Sequence, residues 1–471
     1  MEMMQTNARQ ICFRVSFGAL AIIWVFVSGC ARLELNPFAH TATGIHARTG
    51  LAMRPPHAWD SPIPPHVDLN DGLSEDEAAV TGLWNNAQFL ELLTDLDLSR
   101  ADLIEARQLT NPQVQTMFPV GVKQWELALF VPMEAMLVRP RRVAAAQLEM
   151  QRVGERVVQD GLNVVRDVRV AYADLVRANQ RWQLAQYGAR LQSENARRGE
   201  AMLRGGATSP LDVSPLRLNA MLAQREVIQA AQEAEVARQR LLMLMGVQFV
   251  DVPFNPVPQQ TTGYLTVSAD ELVKQAISSR PDLQAAHFAI VANQERAKLT
   301  NYDYINFTGV LPDLNSKGEK GYEAGPGLNL TIPLFNQNQG AKAKTAAQLE
   351  KSRRNFFNLR NAAALEVRQA HARFVRAERE LGLLQNTVIP EANAGYQRMQ
   401  KALNEDAVST LLVMQTTDQY LAARRLEIEA AAERQRAAAE LERSVGGRLF
   451  NQPEPIMEGM SLSQRATQQL R

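Results

Sequence analysis

Residues 207–246 and 407–446 are two copies of one segment, held in register without a gap at a constant offset of 200 residues. ATSPLDVSPLRLNAMLAQREVIQAAQEAEVARQRLLMLMG lies over AVSTLLVMQTTDQYLAARRLEIEAAAERQRAAAELERSVG with 13 of 40 positions identical. They include Ala207/Ala407, Ser209/Ser409, Leu211/Leu411, Ile228/Ile428, Leu241/Leu441 and Gly246/Gly446. Self-similarity at a fixed period marks an internal duplication, so a fold for one copy must serve the other. Both copies are rich in Ala, Arg, Glu and Gln and finish on Gly, which predicts two long helices each closed by a glycine.

The duplication extends upstream. WELALFVPM at Trp125–Met133 lies over PGLNLTIPL at Pro326–Leu334, AAQLE at Ala145 returns at Ala346, and Leu109-Thr110-Asn111 returns as Leu299-Thr300-Asn301. Each unit therefore reads as helix, short β segment, very long helix, tip, long helix. The 51 Lys and Arg against 50 Asp and Glu leave no basic field, which argues against a nucleic-acid partner.

The first residues read as a targeting segment, with Arg9 and Arg14 ahead of an apolar run from Val15 to Val27 and then Ser28-Gly29-Cys30. The run is too short to span a bilayer as a helix. Val27-Ser28-Gly29-Cys30 resembles the lipobox of bacterial lipoproteins. The resemblance implies cleavage before Cys30, acylation of Cys30 and, with Ala31 rather than Asp next, sorting to the outer membrane. Cys12 leaves with the signal, so the mature chain is expected to have no internal disulfide.

The expected boundaries are a signal at 1–29, an extended tether at 30–71, repeat 1 at 72–250, a linker at 251–267, repeat 2 at 268–450 and a tail at 451–471. The tether carries His40, His46, His57 and His66 at spacings that match no compact metal-ligand pattern, and it reads as a solvated tail. Ser74 with Glu77, and Ser268 with Glu271, open a helix in each repeat, one ending near Asn111 and the other near Asn301. Alternation at Val114, Thr116, Phe118 and Val120, then Trp125, Leu127, Leu129 and Val131, predicts one hairpin. Ile305, Phe307 and Gly309, a turn-rich loop from Pro312, and Leu328, Leu330 and Ile332 predict a second. Four strands cannot close a barrel. In lipid their edges demand closure, and three chains together supply twelve strands, an allowed even number.

The helices after the hairpins, about Arg139–Met202 and Ala341–Leu403, are longer than a compact domain needs. Gly154, Gly161 and Gly188 interrupt the first only weakly. Met414, Leu421 and Ile428, matched by Met221 and Ile228, recur at coiled-coil spacing. Arg434, Arg436, Glu440 and Arg443 read as a solvated mixed-charge face.

The signal and lipobox, the duplicated order of elements, RPDLQAAHFAI at Arg280 and LNLTIPLFNQNQGAKAKTAAQLE at Leu328 together resemble the TolC family of outer-membrane efflux channels over about Gly72–Gly447. The resemblance implies a mainly α fold with a small β part. Its long-helix units would form an α-barrel, continuous with a twelve-stranded transmembrane β-barrel built by a homotrimer. It also implies three external partners: outer-membrane lipid, a periplasmic adaptor (membrane fusion) protein and an inner-membrane pump. Docking falls to the tips, Gly205, Gly206, Ala207, Ser209 and Leu211 in one repeat and Ala407, Ser409 and Leu411 in the other, where small residues also serve the turn itself. The family's acidic pore ring maps onto Leu412 and Gln415, both uncharged, while Asp212 in the first tip remains acidic and is a possible gate. The phrase from Gln124 to Ala146 is similar to metal-efflux channels, and drugs, solvents or secreted protein fit the rest equally.

His287 and His371 stand alone on helices, and the sequence carries neither a ligand set nor a nucleophile with a base nearby. No catalysis, cofactor or resident metal is expected. The competing class is a periplasmic coiled-coil adaptor or structural scaffold lipoprotein. An adaptor would carry one long hairpin flanked by compact β domains, and a scaffold would not need two alternating hairpins.

Overall fold

The computed structural model describes residues 37–53, 63–65, 67, 72–118, 126–249, 254–257, 267–302, 307–316, 322–330, 334–404 and 409–450. The signal, Cys30, Ala407 and the tail at 451–471 lie outside them. Repeat 1 comprises α1 (Pro37–Thr49), α2 (Glu75–Asn85), α3 (Ala87–Arg107), β1 (Gln113–Met117), β2 (Glu126–Pro132), α4 (Glu134–Arg204) and α5 (Pro210–Met245). Repeat 2 comprises α6 (Ala269–Ser279), α7 (Pro281–Thr300), β3 (Phe307–Ser316), β4 (Tyr322–Leu330), α8 (Gln339–Leu383), a π segment (Leu384–Val388), α9 (Ile389–Asn404) and α10 (Thr410–Val445). Except for α1, the order repeats as the duplication requires.

Each repeat has its own core. In the first, Leu83, Phe89, Val168, Tyr172, Leu241 and Met245 pack together; in the second, Leu272, Val367, Phe374, Leu441 and Val445 do so. The identical pair Leu241 and Leu441 is fully buried in both. The strands form one antiparallel sheet in the order β1-β2-β3-β4, so the two hairpins join through β2 and β3 and leave β1 and β4 as edges.

The opening helices begin as the caps predict. Ser74 and Glu77 form a reciprocal capping box, and Ser268 accepts from the backbone of Glu271. Each then breaks where one continuous helix was expected. Asn86 leaves the helical conformation to cap α3, and Arg280 is held extended before Pro281, as the residue preceding a proline tends to be.

The structure corrects four further expectations. Residues 37–49 of the supposed tether are helix α1, whose Ile45 is fully buried against Gly161; a Cβ at 161 would lie 2.5 Å from Ile45 Cδ1. Gly154 and Gly161 thus open a groove for α1 one heptad apart on α4. β3 runs on to Ser316 and β4 starts at Tyr322, so strand takes most of what read as a turn-rich loop. The heptad residues divide: Leu421 is buried, but Met221 and Ile228 are 68% and 70% exposed, because α10 is sandwiched between α4 and α8 while the outer face of α5 has no cover among the described residues.

The fourth concerns charge. The Arg434–Arg443 face is not solvated, because it pairs across helices: Arg434 with Glu378, Arg436 with Asp174 at 3.2 Å, Glu440 with Arg166 at 2.9 Å and Arg443 with Glu366 at 3.3 Å. Pairs with α4 descend in antiparallel order through Arg177–Glu429. They hold repeat 2 against repeat 1.

Candidate functional site

The turn between α4 and α5 is built by chain chemistry. α4 ends in stacked carbonyl bonds, with Gly205 N donating to Ala201 O at 3.0 Å, Gly206 N to Leu203 O at 3.1 Å and Ala207 N to Met202 O at 2.9 Å. Gly206 has φ +74, which favours glycine. Ser209 then caps α5 in a capping box with Asp212, and Pro210 follows at the first helical position, where its missing N–H costs nothing. Asp212 Oδ2 accepts from Ser209 Oγ at 2.8 Å, from Ser209 N at 3.3 Å and from Thr208 Oγ1 at 3.3 Å. The Ser209 bonds hold its carboxyl below the usual carboxylate range. This candidate gate residue is committed to its own helix start. Just inside the turn, Val213 and Leu216 are buried, and a Cβ at Gly199 would meet Leu216 Cδ1 at 2.6 Å. Outside it, Gly205, Gly206 and Ala207 are exposed and Leu211 is 81% exposed.

The second tip shares half of this construction. Ser409 caps α10, with Oγ accepting from Leu412 N at 3.4 Å, but position 412 is Leu, so the reciprocal acid is missing. Ala407 and the side chain of Leu411 fall outside the described residues. Leu412 is 49% exposed and Gln415 is exposed, with Val413 buried between them.

Behind the tips lies a polar set that periodicity does not reveal. Gln192 Nε2 donates to Asp418 Oδ1 at 2.8 Å, and Asn195 Nδ2 to Thr417 Oγ1 at 3.5 Å, joining α4 to α10 one turn past Gln415. Tyr396 stacks on Tyr420 with ring centroids 4.8 Å apart and accepts from Gln400 Nε2 at 2.9 Å. Burial, then the neighbouring Tyr187, pushes its hydroxyl up to about 12. Apart from Gln400, one turn from Tyr396 on α9, the partners lie on different helices, and no pattern in the sequence singles them out.

The chemistry available here is recognition and packing. The tips offer small residues, one exposed leucine and capped helix starts. Among the described residues, no group of three or more His, Cys, Asp or Glu is placed to hold a metal ion.

Two repeats of very long helices, a shared antiparallel sheet with both edges open, and capped turns at the helix ends define a duplicated, mainly helical architecture. Residues 272–447, most of repeat 2, match the family described as outer membrane efflux protein. The cobalt-zinc-cadmium resistance protein CzcC of Cupriavidus metallidurans is 21% identical over 316 residues, 64% of this chain and 73% of that protein. Among solved structures, the outer-membrane channel OprN superposes with a TM-score of 0.67 at 18% identity, covering 79% of this chain and 90% of OprN. The CmeC outer membrane channel of Campylobacter jejuni gives 0.67 at 12% identity, covering 87% and 93%. The second repeat therefore matches the outer membrane efflux protein family, and the fold as a whole is similar to those of the outer-membrane channels OprN and CmeC.

Proposed function

We propose that three copies of this chain form the exit duct of a tripartite efflux system, seated in the outer membrane and reaching into the periplasm. The observation that carries the reading is the open four-stranded sheet. β1 and β4 each present an unpaired edge, and a strand edge in hydrocarbon leaves backbone groups without partners. Three sheets joined edge to edge give twelve strands and no edge. The uncovered face of α5, with Leu218, Met221, Ile228 and Val236 all exposed by more than half, supports the same assembly, because a neighbouring copy would bury it.

Within this reading Cys30 carries the acyl anchor, and the turns at 205–211 and around Ser409 meet the periplasmic adaptor, which links the duct to an inner-membrane pump. Leu412, Gln415 and Asp212 line the approach to the tip opening. A periplasmic adaptor or scaffold lipoprotein would not place four strands with open edges beside such helices.

The test is the mass of the detergent-solubilised protein, together with complementation of a strain lacking the gene. A trimer whose expression restores efflux is expected. A stable monomer that restores resistance would overturn the reading. Because the CzcC relative is a cobalt-zinc-cadmium resistance protein, the susceptibility panel should include divalent metals beside organic compounds. Labelling cells with a radioactive fatty acid tests the anchor: wild type takes up label and Cys30→Ser does not, and equal labelling would remove the lipobox reading.

A further inference from the structure

The helices next to the sheet form an open layer, as the strands do. α3 packs on α4, α4 on α7 and α7 on α8, which leaves α3 and α8 as the two ends of the layer. α3 leads into the edge strand β1, and the edge strand β4 leads into α8. Joining β4 of one copy to β1 of the next therefore brings α8 of the first beside α3 of the second, a step that rests on the trimeric reading above.

Both ends carry an uncovered face. On α8 no residue from 339 to 362 is buried, whereas the equivalent stretch of α4 buries Ala145, Val157 and Val158. Ala343, Ala347, Glu350, Arg354, Phe357 and Asn361 are all exposed, at alternating steps of four and three that place them on one face. On α3, Phe89, Leu96, Ser99, Leu103 and Ala106 are buried, while Glu91, Thr94, Leu98, Ala101 and Glu105 form an exposed stripe at the same spacing. Each stripe carries one large apolar side chain, Leu98 at 63% and Phe357 at 57% exposed.

The two helices are opposite in charge. α3 holds five acidic residues against two basic, and residues 339–362 of α8 hold six basic against one acidic. Asp95 and Asp102 on α3, and Lys351, Arg353 and Arg360 on α8, make no ion pair among the described residues. The open groove of about 240 Å³ between α3 and α4, lined by Asp95, Leu98 and Asp102, does not neutralise its α3 carboxylates. Its two arginines answer to acids of α4 itself, Arg152 to Glu149 at 2.7 Å and Arg156 to Asp160 at 4.0 Å.

Height along the helices agrees. A three-fold axis through the barrel leaves every residue at its own height, so equal levels meet between copies. The groove sets residues 95–102 of α3 against 149–160 of α4, and the AAQLE repeat at Ala145 and Ala346 makes 350–361 of α8 the equivalent of 149–160. The acidic stretch of one copy stands level with the basic stretch of the next.

We propose that the α3 stripe through Leu98 docks against the α8 stripe through Phe357 of a second copy, closing the helices into a ring as β1 and β4 close the sheet. Exposed ion pairs contribute little one by one. The opposed fields act by selecting which faces meet, and the apolar pair adds burial.

The experiment is disulfide trapping in the full-length protein in its membrane. Leu98→Cys is combined in turn with Arg354→Cys, Phe357→Cys and Asn361→Cys, and with Asn355→Cys, on the far side of α8, as the control. After mild oxidation, at least one of the first three pairs should give a covalent trimer on a non-reducing gel, with none from the control or from any single variant. Mass in detergent is measured on the same samples. Trimeric mass with no pair linking better than the control overturns this contact and leaves the trimer standing; monomeric mass overturns both. In a second arm, Asp102→Arg with Glu105→Arg should at least halve the trimer that survives heating in detergent, and adding Lys351→Glu with Arg354→Glu should restore it. No recovery would overturn the charge complementarity on which the docking rests.

Discussion

Gly246 packs so closely on Asn85 that a Cβ at position 246 would lie 2.1 Å from the Asn85 carbonyl oxygen. The residue also has φ +70, where side chains are strained, and it closes α5 through bonds to Leu242 and Met243. Its repeat partner Gly446, at φ +83, meets Arg280 instead, with Cα 3.2 Å from the added carbon. Gly246→Ala therefore combines a positive-φ cost of about 1 kcal/mol with a backbone clash that must displace α2 or α5. Gly246→Ala should lower folded protein in the outer membrane severely, and Gly446→Ala less so. Comparable abundance and denaturation midpoints for the two variants would contradict this ordering.

Tyr172 joins the start of repeat 1 to the linker between the repeats. Its hydroxyl is within hydrogen-bonding distance of Leu73 O at 2.7 Å and Val257 O at 2.6 Å, beside the parallel bridge between Leu73 and Pro256. Tyr172→Phe removes the one donor that these carbonyls share, at a cost of about 1–3 kcal/mol. The expected signature is a lower denaturation midpoint with protease cleavage near residues 254–257 appearing first. An unchanged midpoint would show that water replaces the hydroxyl at no cost.

Glu75 supplies a pH dependence. Burial pushes its carboxyl up to about 7, opposed by the nearby Arg169 guanidinium and assisted by the negative Asp76. Because its folded value lies above its unfolded one near 4.5, the native state holds the extra proton between them. Its contribution is then fully present below about 4.5 and is lost as pH rises through 7. Glu75→Gln should flatten the decline in stability between pH 5 and 8, a difference on the order of 3 kcal/mol at most. Parallel pH profiles for variant and wild type would rule this out.

Elements set by local chemistry were legible in the sequence. The helix caps at Ser74 and Ser268, the glycine stops at 246 and 446, and the alternation through Leu127 and Leu129 are each written within a few residues. What was missed depends on packing across large sequence separations. α1 read as tether because its burial comes from Gly161, more than a hundred residues away. The face from Arg434 to Arg443 read as solvated because its acidic partners Asp174, Glu366 and Glu378 lie on other helices. The break at Arg280 was signalled by Pro281, yet the strong helical pattern on both sides outweighed it. Asp212 was singled out for its charge, and the structure gives it a capping role that the Ser-x-x-Asp spacing already contained.

The tips carry the last prediction. Gly206 is a poor probe of docking, because its positive φ makes any side chain disturb the turn itself. Ala207 and Leu211 are better, being exposed at the turn and free of a conformational demand for glycine. Ala207→Glu and Leu211→Asp should leave the denaturation midpoint within about 0.5 kcal/mol of wild type, as expected for exposed positions. If an adaptor docks here, the same changes place charge in the contact and should lower efflux-dependent resistance at least tenfold, with the trimer and its membrane location intact. Ser268→Ala provides the contrasting control: it removes the cap of α6, outside the tips, costs about 1 kcal/mol of stability and should leave docking in place. A well-folded Leu211→Asp trimer that confers full resistance and still captures its adaptor would place the docking surface elsewhere on the helices.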